Sequence, residues 1–451
     1  MDQFPVLGAP DSGDTAWMLA SAALVLLMTP GLAFFYGGMV RARGVLNMIM
    51  MSVSAMGVVT VLWVLYGYSV AFGEDKYGLF GDPSQYFGLK GLISGTYLQL
   101  TADAPEVAVP LAGTIPQTVF VAFQLMFAII TVALISGAVA DRLKFGGWLL
   151  FAGLWATFVY FPVAHWVFAF NGVTAETGGW IANKLKAIDF AGGTAVHINA
   201  GVAGLVLAVI LGKRMGWPGT PMRPHNLPFV MLGAGLLWFG WYGFNAGSAV
   251  GSNGIAGATF VTTTVATAAA MLGWLLTERI RDGHATTLGA ASGVVAGLVA
   301  ITPSCSSVNV VGALAIGVTA GVICALAVGL KFRFGFDDSL DVVGVHLFGG
   351  LVGTLMVGLV ATKEAPAAVD GLFYGGGAEQ LWRQAVGAFA VLGYTAVVTT
   401  ILALLVKYTV GLRLDREAEA GGIDEAEHAE TAYDFAIAGG SPILARHGAE
   451  V

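Results

Sequence analysis

Long stretches without a charged residue constrain this chain more than any other feature of its sequence. Nine segments lack Asp, Glu, Lys and Arg over lengths that could cross a membrane: 15–40, 44–73, 107–140, 145–175, 190–212, 226–277, 285–330, 342–362 and 384–406. A transmembrane helix needs about 20 mostly apolar residues. Only 11% of the residues are charged, against about 25% in a soluble domain. We therefore predict an all-α integral membrane protein and exclude a soluble enzyme or binding module.

Two of these segments are too long for one crossing, and each contains a polar break. Gly251–Gly254 interrupts the segment 226–277, and Thr302–Ser307 interrupts the segment 285–330. The sequence therefore predicts eleven transmembrane helices. If the N terminus is outside, 15 of the 21 Lys and Arg residues fall on the other side of the membrane, where cytoplasmic loops carry the basic excess. We expect a multi-pass protein of the cell membrane with its N terminus outside and its C terminus in the cytoplasm.

The chain divides into a transmembrane part and a tail. We predict a transmembrane domain over residues 1–410 and a cytoplasmic regulatory tail over residues 411–451. Two inverted repeats of five helices, at about 14–212 and 226–362, make up most of the first part, and a final helix follows at 384–408. The first apolar segment has acidic rather than basic residues before it. Because a cleaved signal peptide begins with basic residues, we expect this segment to stay as the first helix.

Two segments, in the predicted fifth and tenth helices, share a spacing. His197 follows Asp189 by eight residues. His346 follows Asp338 by the same interval. With the N terminus outside, the fifth helix runs inward and the tenth runs outward, as an inverted repeat requires. Eight helical residues rise ~12 Å, most of the way to the middle of a ~30 Å hydrocarbon core, so both imidazoles should reach a similar depth from opposite sides.

Ionisable groups at that depth are costly and by default mark a substrate path or a proton relay. For either histidine alone, a hydrogen bond to a neighbouring helix is a strong alternative, but the pair favours a path. A zinc site is disfavoured because these helices offer no carboxylate or thiolate at a matching depth as a third ligand. Asp189 has two open roles that overlap: it could cap its helix or hold the backbone around a cation site. We expect no metal or other cofactor.

Several motifs together resemble the ammonium transporter (Amt) family, bacterial type, of the ammonium transporter/methylammonium permease/Rhesus superfamily. They are Thr29–Gly38 in helix one, Asp189–Gly193 with His197–Ala200 in helix five, Gly243–Ser248 in helix six, and Asp337–Asp338 with Gly344–His346 in helix ten. The motifs occur in the family's order on the expected helices. The resemblance extends from about Asp14 to Tyr433 and is far more specific than any single motif.

The resemblance implies an ammonium transporter for nitrogen uptake, with no enzymatic activity, that forms a homotrimer in membrane lipid with one pore in each subunit. It implies an outer vestibule that recruits the cation with aromatic faces and a hydroxyl, a gate of two phenylalanines, and a twin-histidine pore. The matching residues are Ser248, Phe127, Phe168, Trp241 and Asp189 in the vestibule, Phe127 and Phe244 in the gate, and His197 and His346 in the pore. Methylammonium is a further candidate substrate, and no nucleic-acid partner is expected.

One vestibule position departs from the family's pattern. Phe168 stands where the bacterial transporters usually have tryptophan, and Trp166 lies two residues earlier. Phenylalanine is the weaker cation–π partner. Recruitment is then either weaker in this chain or assisted by another aromatic residue.

Physical reasoning about charge favours a conversion step along such a path. An ion that enters a dry, narrow pore loses its hydration at a cost of many kcal/mol, whereas a neutral amine loses far less. We therefore expect deprotonation of NH4+ near the gate and conduction of NH3 past the histidines, with or without separate H+ transfer. Rival interpretations are a Rh-like channel for NH3 or CO2 and an ammonium sensor. The Gly243–Ser248 motif favours the ammonium branch, and a sensor would need a signalling domain beyond the short segment Asp434–Val451.

The tail is acidic and resembles the family's regulatory tail. Its matching residues are Ile423–Asp424, His428 and Ala432–Tyr433, while Ala429 stands where the family usually has glycine. The resemblance implies contact with the inner face of the pore and with a PII-type signalling protein. We expect the acidic residues to dock on the basic inner loops through Arg142, Lys213, Arg214, Arg279 and Lys331. A solvated tail is the alternative.

Overall fold

The computed structural model describes residues 4–93 and 108–434. In this part of the chain, ten helices are long and apolar enough to cross a membrane, and one apolar helix is shorter. They are α1 (Ser12–Met39), α2 (Val45–Phe72), α3 (Gln117–Val139), α4 (Phe145–Phe168), α5 (Gly193–Leu211), α6 (Leu227–Gly247), α7 (Gly254–Asp282), the shorter α8 (Thr287–Ile301), α9 (Val310–Phe334), α10 (Val343–Val360) and α11 (Glu379–Thr409). The chain is an all-α membrane protein, as predicted.

The helix boundaries agree with the two predicted polar breaks. One break falls between α6 and α7, and the other falls between α8 and α9. With 15 residues, α8 is only ~22 Å long at 1.5 Å per residue, which is shorter than the ~30 Å hydrocarbon core. Nearly all of α8 is buried against other helices. The count of eleven crossings depends on this short helix and, like the orientation, stays a prediction.

Short strands and single turns fill the connections. The strands are β1 (Val6–Gly8), β2 (Asp75–Lys76), β3 (Phe80–Gly81), β4 (Val109–Ala112) and β5 (Ile115–Pro116). They form an antiparallel sheet in the order β1–β4–β5 and a separate β2–β3 pair. Further single turns lie at Phe87–Leu89, Ile181–Leu185 and Leu372–Tyr374. These small elements connect helices and leave the helical bundle to form the core.

Glycines allow close packing between α5 and α10, the two histidine-bearing helices. A Cβ on Gly201 would lie 2.5 Å from the Leu347 nitrogen, and a Cβ on Gly350 would lie 2.9 Å from the Gly193 oxygen. The start of α5 therefore lies beside the middle of α10, while Gly201, further along α5, lies nearer the start of α10, so the two helices are antiparallel, as the inverted repeat predicts. Small residues permit such approach in membranes, where no hydrophobic force drives helices together. Both helices also begin with a wide π-helical turn, at Gly193–Ile198 and at Val343–Leu347.

The described part of the tail lies against the helical bundle. It contains two short helices, α12 (Arg416–Gly421) and α13 (Ile423–His428). Asp424, only 2% exposed, accepts hydrogen bonds from the Leu46 and Asn47 amides at the start of α2, at 3.0 and 2.8 Å. Glu427 accepts from the Phe145 amide at the start of α4, at 2.7 Å. Free N–H groups at a helix start suit carboxylates, so these two acidic side chains of the tail are bound rather than solvated.

The expected docking of the tail on basic side chains is wrong in detail, because those cations already have other partners. Arg214 pairs with Asp337 at 2.9 Å, and Lys331 pairs with Asp341 at 2.6 Å. The Arg142 guanidinium donates to backbone carbonyls and to Ser339, Arg279 donates to the Gly283 carbonyl, and Lys213 lies over the Trp217 ring. The last residues of the predicted tail, 435–451, lie outside the described part.

Candidate functional site

Two phenylalanine rings are stacked in the interior of the helical bundle. Phe127 on α3 and Phe244 on α6 stack with their ring centroids 4.1 Å apart and their planes 19° apart. Both side chains are fully buried. The sequence-predicted gate residues therefore lie in direct contact, and the stack separates two cavities of very different size.

The cavity on one side, called the wide cavity here, measures about 380 Å³ and is lined in part by Phe127, Phe168 and Ser248. The Ser248 hydroxyl donates to the Phe244 carbonyl at 2.8 Å. Its lone pairs are then available to a donor in the cavity. Phe168 stands edge-on to Phe127, with centroids 6.4 Å apart. The wide cavity thus combines aromatic rings with a hydroxyl acceptor.

The cavity on the other side, called the narrow cavity here, measures about 10 Å³. A volume of about 10–15 Å³ on this scale holds a single water molecule. Its wall is apolar apart from the edges of His197 and His346, with Trp241, Leu32 and Ile130 among the other lining residues. Only a small molecule that has lost its hydration shell fits there.

His197 and His346 meet beside the narrow cavity. Their Nδ1 atoms lie 3.3 Å apart, and their rings are inclined by 23° with centroids 5.3 Å apart. For two neutral rings, one Nδ1 must carry the proton of this hydrogen bond and the other must accept it. Among the described residues, the buried His197 Nε2 has no hydrogen-bond partner. The pair therefore keeps a ring nitrogen free for a molecule in the cavity.

Two carboxylates hold the starts of the histidine-bearing helices. Asp189 accepts four backbone hydrogen bonds, from residues 192 to 195, at 2.6 to 3.0 Å. Asp338 accepts from the Val342 and Val343 amides at 3.1 and 2.8 Å. Burial and the neighbouring Asp341 raise the pKa of Asp338 to about 7, while Lys331 acts in the opposite direction. Two roles were open for Asp189: capping its helix, and holding the backbone around a cation site. Its hydrogen bonds to the amides at the start of α5 are those of a helix cap.

Two tryptophans lie elsewhere than the vestibule interpretation expects. Trp241 lines the narrow cavity, not the wide one. It stacks on His197 with centroids 5.4 Å apart and donates to the Thr302 hydroxyl at 2.9 Å. Trp166 donates to the Leu79 carbonyl and packs on Trp180. Neither indole faces the wide cavity, so Trp166 does not take the place of the missing vestibule tryptophan.

Sequence reasoning missed other residues of the wide cavity. Phe123, Gln124, Phe170 and Phe190 also line it. Phe123 packs on Phe127 with centroids 4.9 Å apart. Helical spacing offered a signal, because residues three or four positions apart share a face, and Phe123 and Gln124 precede Phe127 by four and three. Without a partner helix in view, that face could equally have pointed at lipid.

Comparisons with known proteins agree with this architecture. The sequence model of the Ammonium Transporter Family matches residues 16–433. The chain is 76% identical over 454 residues to the ammonium transporter of Mycobacterium tuberculosis strain H37Rv, covering 99% of this chain and 95% of the relative. It is 47% identical to the ammonium transporter of Aquifex aeolicus, with 94% of each covered.

Solved structures share the fold. The crystal structure of Saccharomyces cerevisiae Mep2 is 33% identical, with a TM-score of 0.79 over 91% of this chain and 89% of that one. A structure named Sensor Amt Protein is 26% identical, with a TM-score of 0.82 over 92% of this chain and 98% of that one. The helical arrangement described above is therefore one that solved structures also have.

Proposed function

This chain belongs to the ammonium transporter family, and from that premise we propose that it recruits NH4+ in the wide cavity, deprotonates it near the Phe127–Phe244 stack and conducts NH3 through the narrow cavity into the cytoplasm. One observation carries the proposal. A cavity of about 380 Å³ with a hydroxyl acceptor is separated by two stacked rings from a space of about 10 Å³ beside two histidines. In this proposal, the wide cavity opens to the outside of the cell.

The wide cavity supplies what a small cation with four N–H donors needs. Aromatic faces attract cations, and the Ser248 lone pairs accept a hydrogen bond. The cation can keep water on its open side, because the cavity is large. Recruitment there therefore requires no complete loss of hydration.

The stack and the narrow cavity favour the loss of a proton. A charged group moved to apolar surroundings without compensation costs far more than a neutral polar one, and none of the described residues that line the narrow cavity carries a carboxylate. Ammonia can donate three hydrogen bonds and accept one. The shared Nδ1 contact leaves one histidine with a bare Nε2 acceptor and the other with an Nε2–H donor, which suits such a molecule. The proton could follow along the same pair or return to the wide cavity.

The assembly and its partners are also proposals. We infer a homotrimer and a PII-type protein at the cytoplasmic face, both carried over from the family. The tail's binding to the starts of α2 and α4 supports a regulatory surface there, because a partner that displaces the tail would free those helix ends. We do not favour the sensor or the Rh-like channel, since the curated relatives compared above are named transporters.

The test is a current measurement on a solid-supported membrane, with purified protein in liposomes and ammonium steps at constant pH. A saturable, ammonium-specific current is expected if charge accompanies transport. If no current appears, ammonium-driven alkalinisation of the vesicle lumen is expected for neutral conduction. Absence of both, with intact folded protein, would overturn the proposed transport function.

A further inference from the structure

Gln124 is a buried polar side chain that the path described so far does not use. It lies on α3, lines the wide cavity and is only 8% exposed. Within residues 4–93 and 108–434, its amide makes no hydrogen bond, whereas other buried glutamines do. Gln117 donates to the Tyr68 hydroxyl at 2.9 Å, and Gln384 donates to the Ile188 carbonyl at 2.6 Å. The Gln124 amide is accessible from the wide cavity rather than fully enclosed, so the contents of the cavity, whether water or a guest, supply its hydrogen-bond partners.

Gln124 and Ser248 lie at similar distances from the Phe127–Phe244 stack. Gln124 precedes Phe127 by three residues, or ~4.5 Å of helix, and Ser248 follows Phe244 by four, or ~6 Å. Phe127 and Phe244 are stacked on each other, and both polar side chains line the same cavity. Gln124 and Ser248 therefore lie on one side of the stack and at a similar height above it. A guest that touches the rings there is within reach of both.

The chemistry of the cavity calls for a second acceptor. The Ser248 hydroxyl gives its proton to the Phe244 carbonyl, so it can accept but not donate toward the guest. The phenylalanine at 168 is a weaker cation–π partner than tryptophan. A guest with four N–H donors keeps several of them unsatisfied if one hydroxyl is the sole polar contact. A neutral amide oxygen at the same height meets this need without adding a charge that would trap the cation.

We propose that Gln124 is a specificity-determining residue of the recruitment site, whose Oε1 accepts an N–H of ammonium beside Ser248. This inference rests on the proposed function, because it names a further residue of that same site. It also predicts a preference among guests. Methylammonium replaces one N–H donor by a methyl group, so it cannot satisfy the same acceptors equally well, and a site built for hydrogen bonds discriminates against an analogue that lacks one.

The experiment measures the half-saturating concentrations of ammonium and methylammonium in liposomes with wild type, Q124M and Q124E. Methionine retains the side chain's length and removes the acceptor, while glutamate retains acceptor oxygens. Q124M should raise the half-saturating ammonium concentration about fivefold, as expected for one neutral hydrogen bond, with the maximal rate retained and the preference over methylammonium reduced. Q124E should bind ammonium at least as tightly as wild type.

Q117M is the matched control, because Gln117 is buried on the same helix but does not line the wide cavity. It should lower the melting temperature through loss of the Tyr68 contact and leave the half-saturating concentration unchanged. If Q124M does not assemble, Q124L is measured in the same way. Wild-type half-saturation in Q124M, or equal weakening in Q124M and Q124E, would overturn the role of Gln124. Wild-type vesicles without ammonium transport would instead overturn the proposed function itself.

Discussion

The Nδ1 atoms of His197 and His346 face each other at 3.3 Å, so the tautomer of one ring fixes the tautomer of the other. Replacing both histidines by alanine should abolish ammonium-driven transport or convert it to an unselective cation leak, because the donor and acceptor edges of the narrow path are then lost. Current measurement in liposomes, with potassium as the competing ion, checks this. Transport that keeps both its rate and its selectivity against potassium would refute the proposed path.

Ser248→Ala should weaken the apparent affinity for ammonium without stopping conduction. The variant removes one neutral acceptor from the wide cavity, which corresponds to about tenfold at most, since such a bond contributes ~0.5–1.5 kcal/mol net. Ser248→Thr keeps the hydroxyl and serves as the control. Complete loss of transport by a folded Ser248→Ala protein would assign Ser248 to conduction instead of recruitment.

Truncation after Lys407 should leave the helices inserted but lower transport activity and remove binding of a PII-type protein. The tail's contacts lie at the first residues of α2 and α4, at the ends of these membrane spans, so its loss should not prevent assembly. Asp424→Asn is a milder variant that weakens the acceptor for Leu46 and Asn47. Glu417→Gln is the matched control, because Glu417 is exposed and, within the described residues, its side chain makes neither a hydrogen bond nor an ion pair. Full transport and full PII binding by the truncated protein would show that the bound tail has no regulatory role.

Ala429→Gly should hold the tail at least as firmly as wild type. Ala429 adopts a left-handed conformation with φ of 54° at the end of α13. That conformation costs an L-residue ~1–2 kcal/mol, whereas the extra chain entropy of glycine costs roughly 0.5–1 kcal/mol. Protease cleavage within residues 411–434 should therefore be no faster in this variant. Faster cleavage would mean that the alanine side chain contributes a contact that outweighs its strain.

The melting temperature should respond to the titration of Asp338. Burial and Asp341 raise the pKa of Asp338 in the folded protein to about 7. Between the ordinary carboxyl pKa and this value, the folded protein therefore keeps a proton on Asp338 that the unfolded chain has released. The stability that this proton provides is complete below the ordinary carboxyl pKa and is lost as the pH rises through about 7. Thermal unfolding of wild type should show this fall, and Asp338→Asn should flatten it. Equal slopes in both proteins would contradict the assignment.

Much of this architecture could be predicted from sequence because a membrane interior tolerates few alternatives. Charge-free runs located the helices, and the polar runs Gly251–Gly254 and Thr302–Ser307 located the breaks within the two longest of them. Equal spacing from Asp189 and Asp338 predicted that the two histidines would reach one depth, and the antiparallel α5 and α10 agree with the repeat behind that argument.

Other features depend on atoms that a sequence does not display. The tail's carboxylates bind backbone amides at the starts of α2 and α4. Nearly every residue has a backbone N–H group, so the sequence does not indicate which of these groups is free to bind a carboxylate. Charge matching therefore pointed to basic side chains such as Arg214, which Asp337 already neutralises. Trp241 and Gln124 show the same limitation for cavities, since only the folded helices determine whether a side chain lies above or below the Phe127–Phe244 stack.

The contact between α5 and α10 bears on how a substrate can cross this protein. At Gly201 and Gly350 the two backbones approach so closely that even a methyl group would collide. We expect helices packed at this distance to resist sliding past one another, whereas many transporters built from inverted repeats expose their site to each side in turn by rocking. On the proposed function, the histidine path is then a fixed channel through which the substrate itself moves. Transport should consequently continue when cross-links join the two halves of the bundle, as turnover measurements on doubly substituted cysteine variants can test.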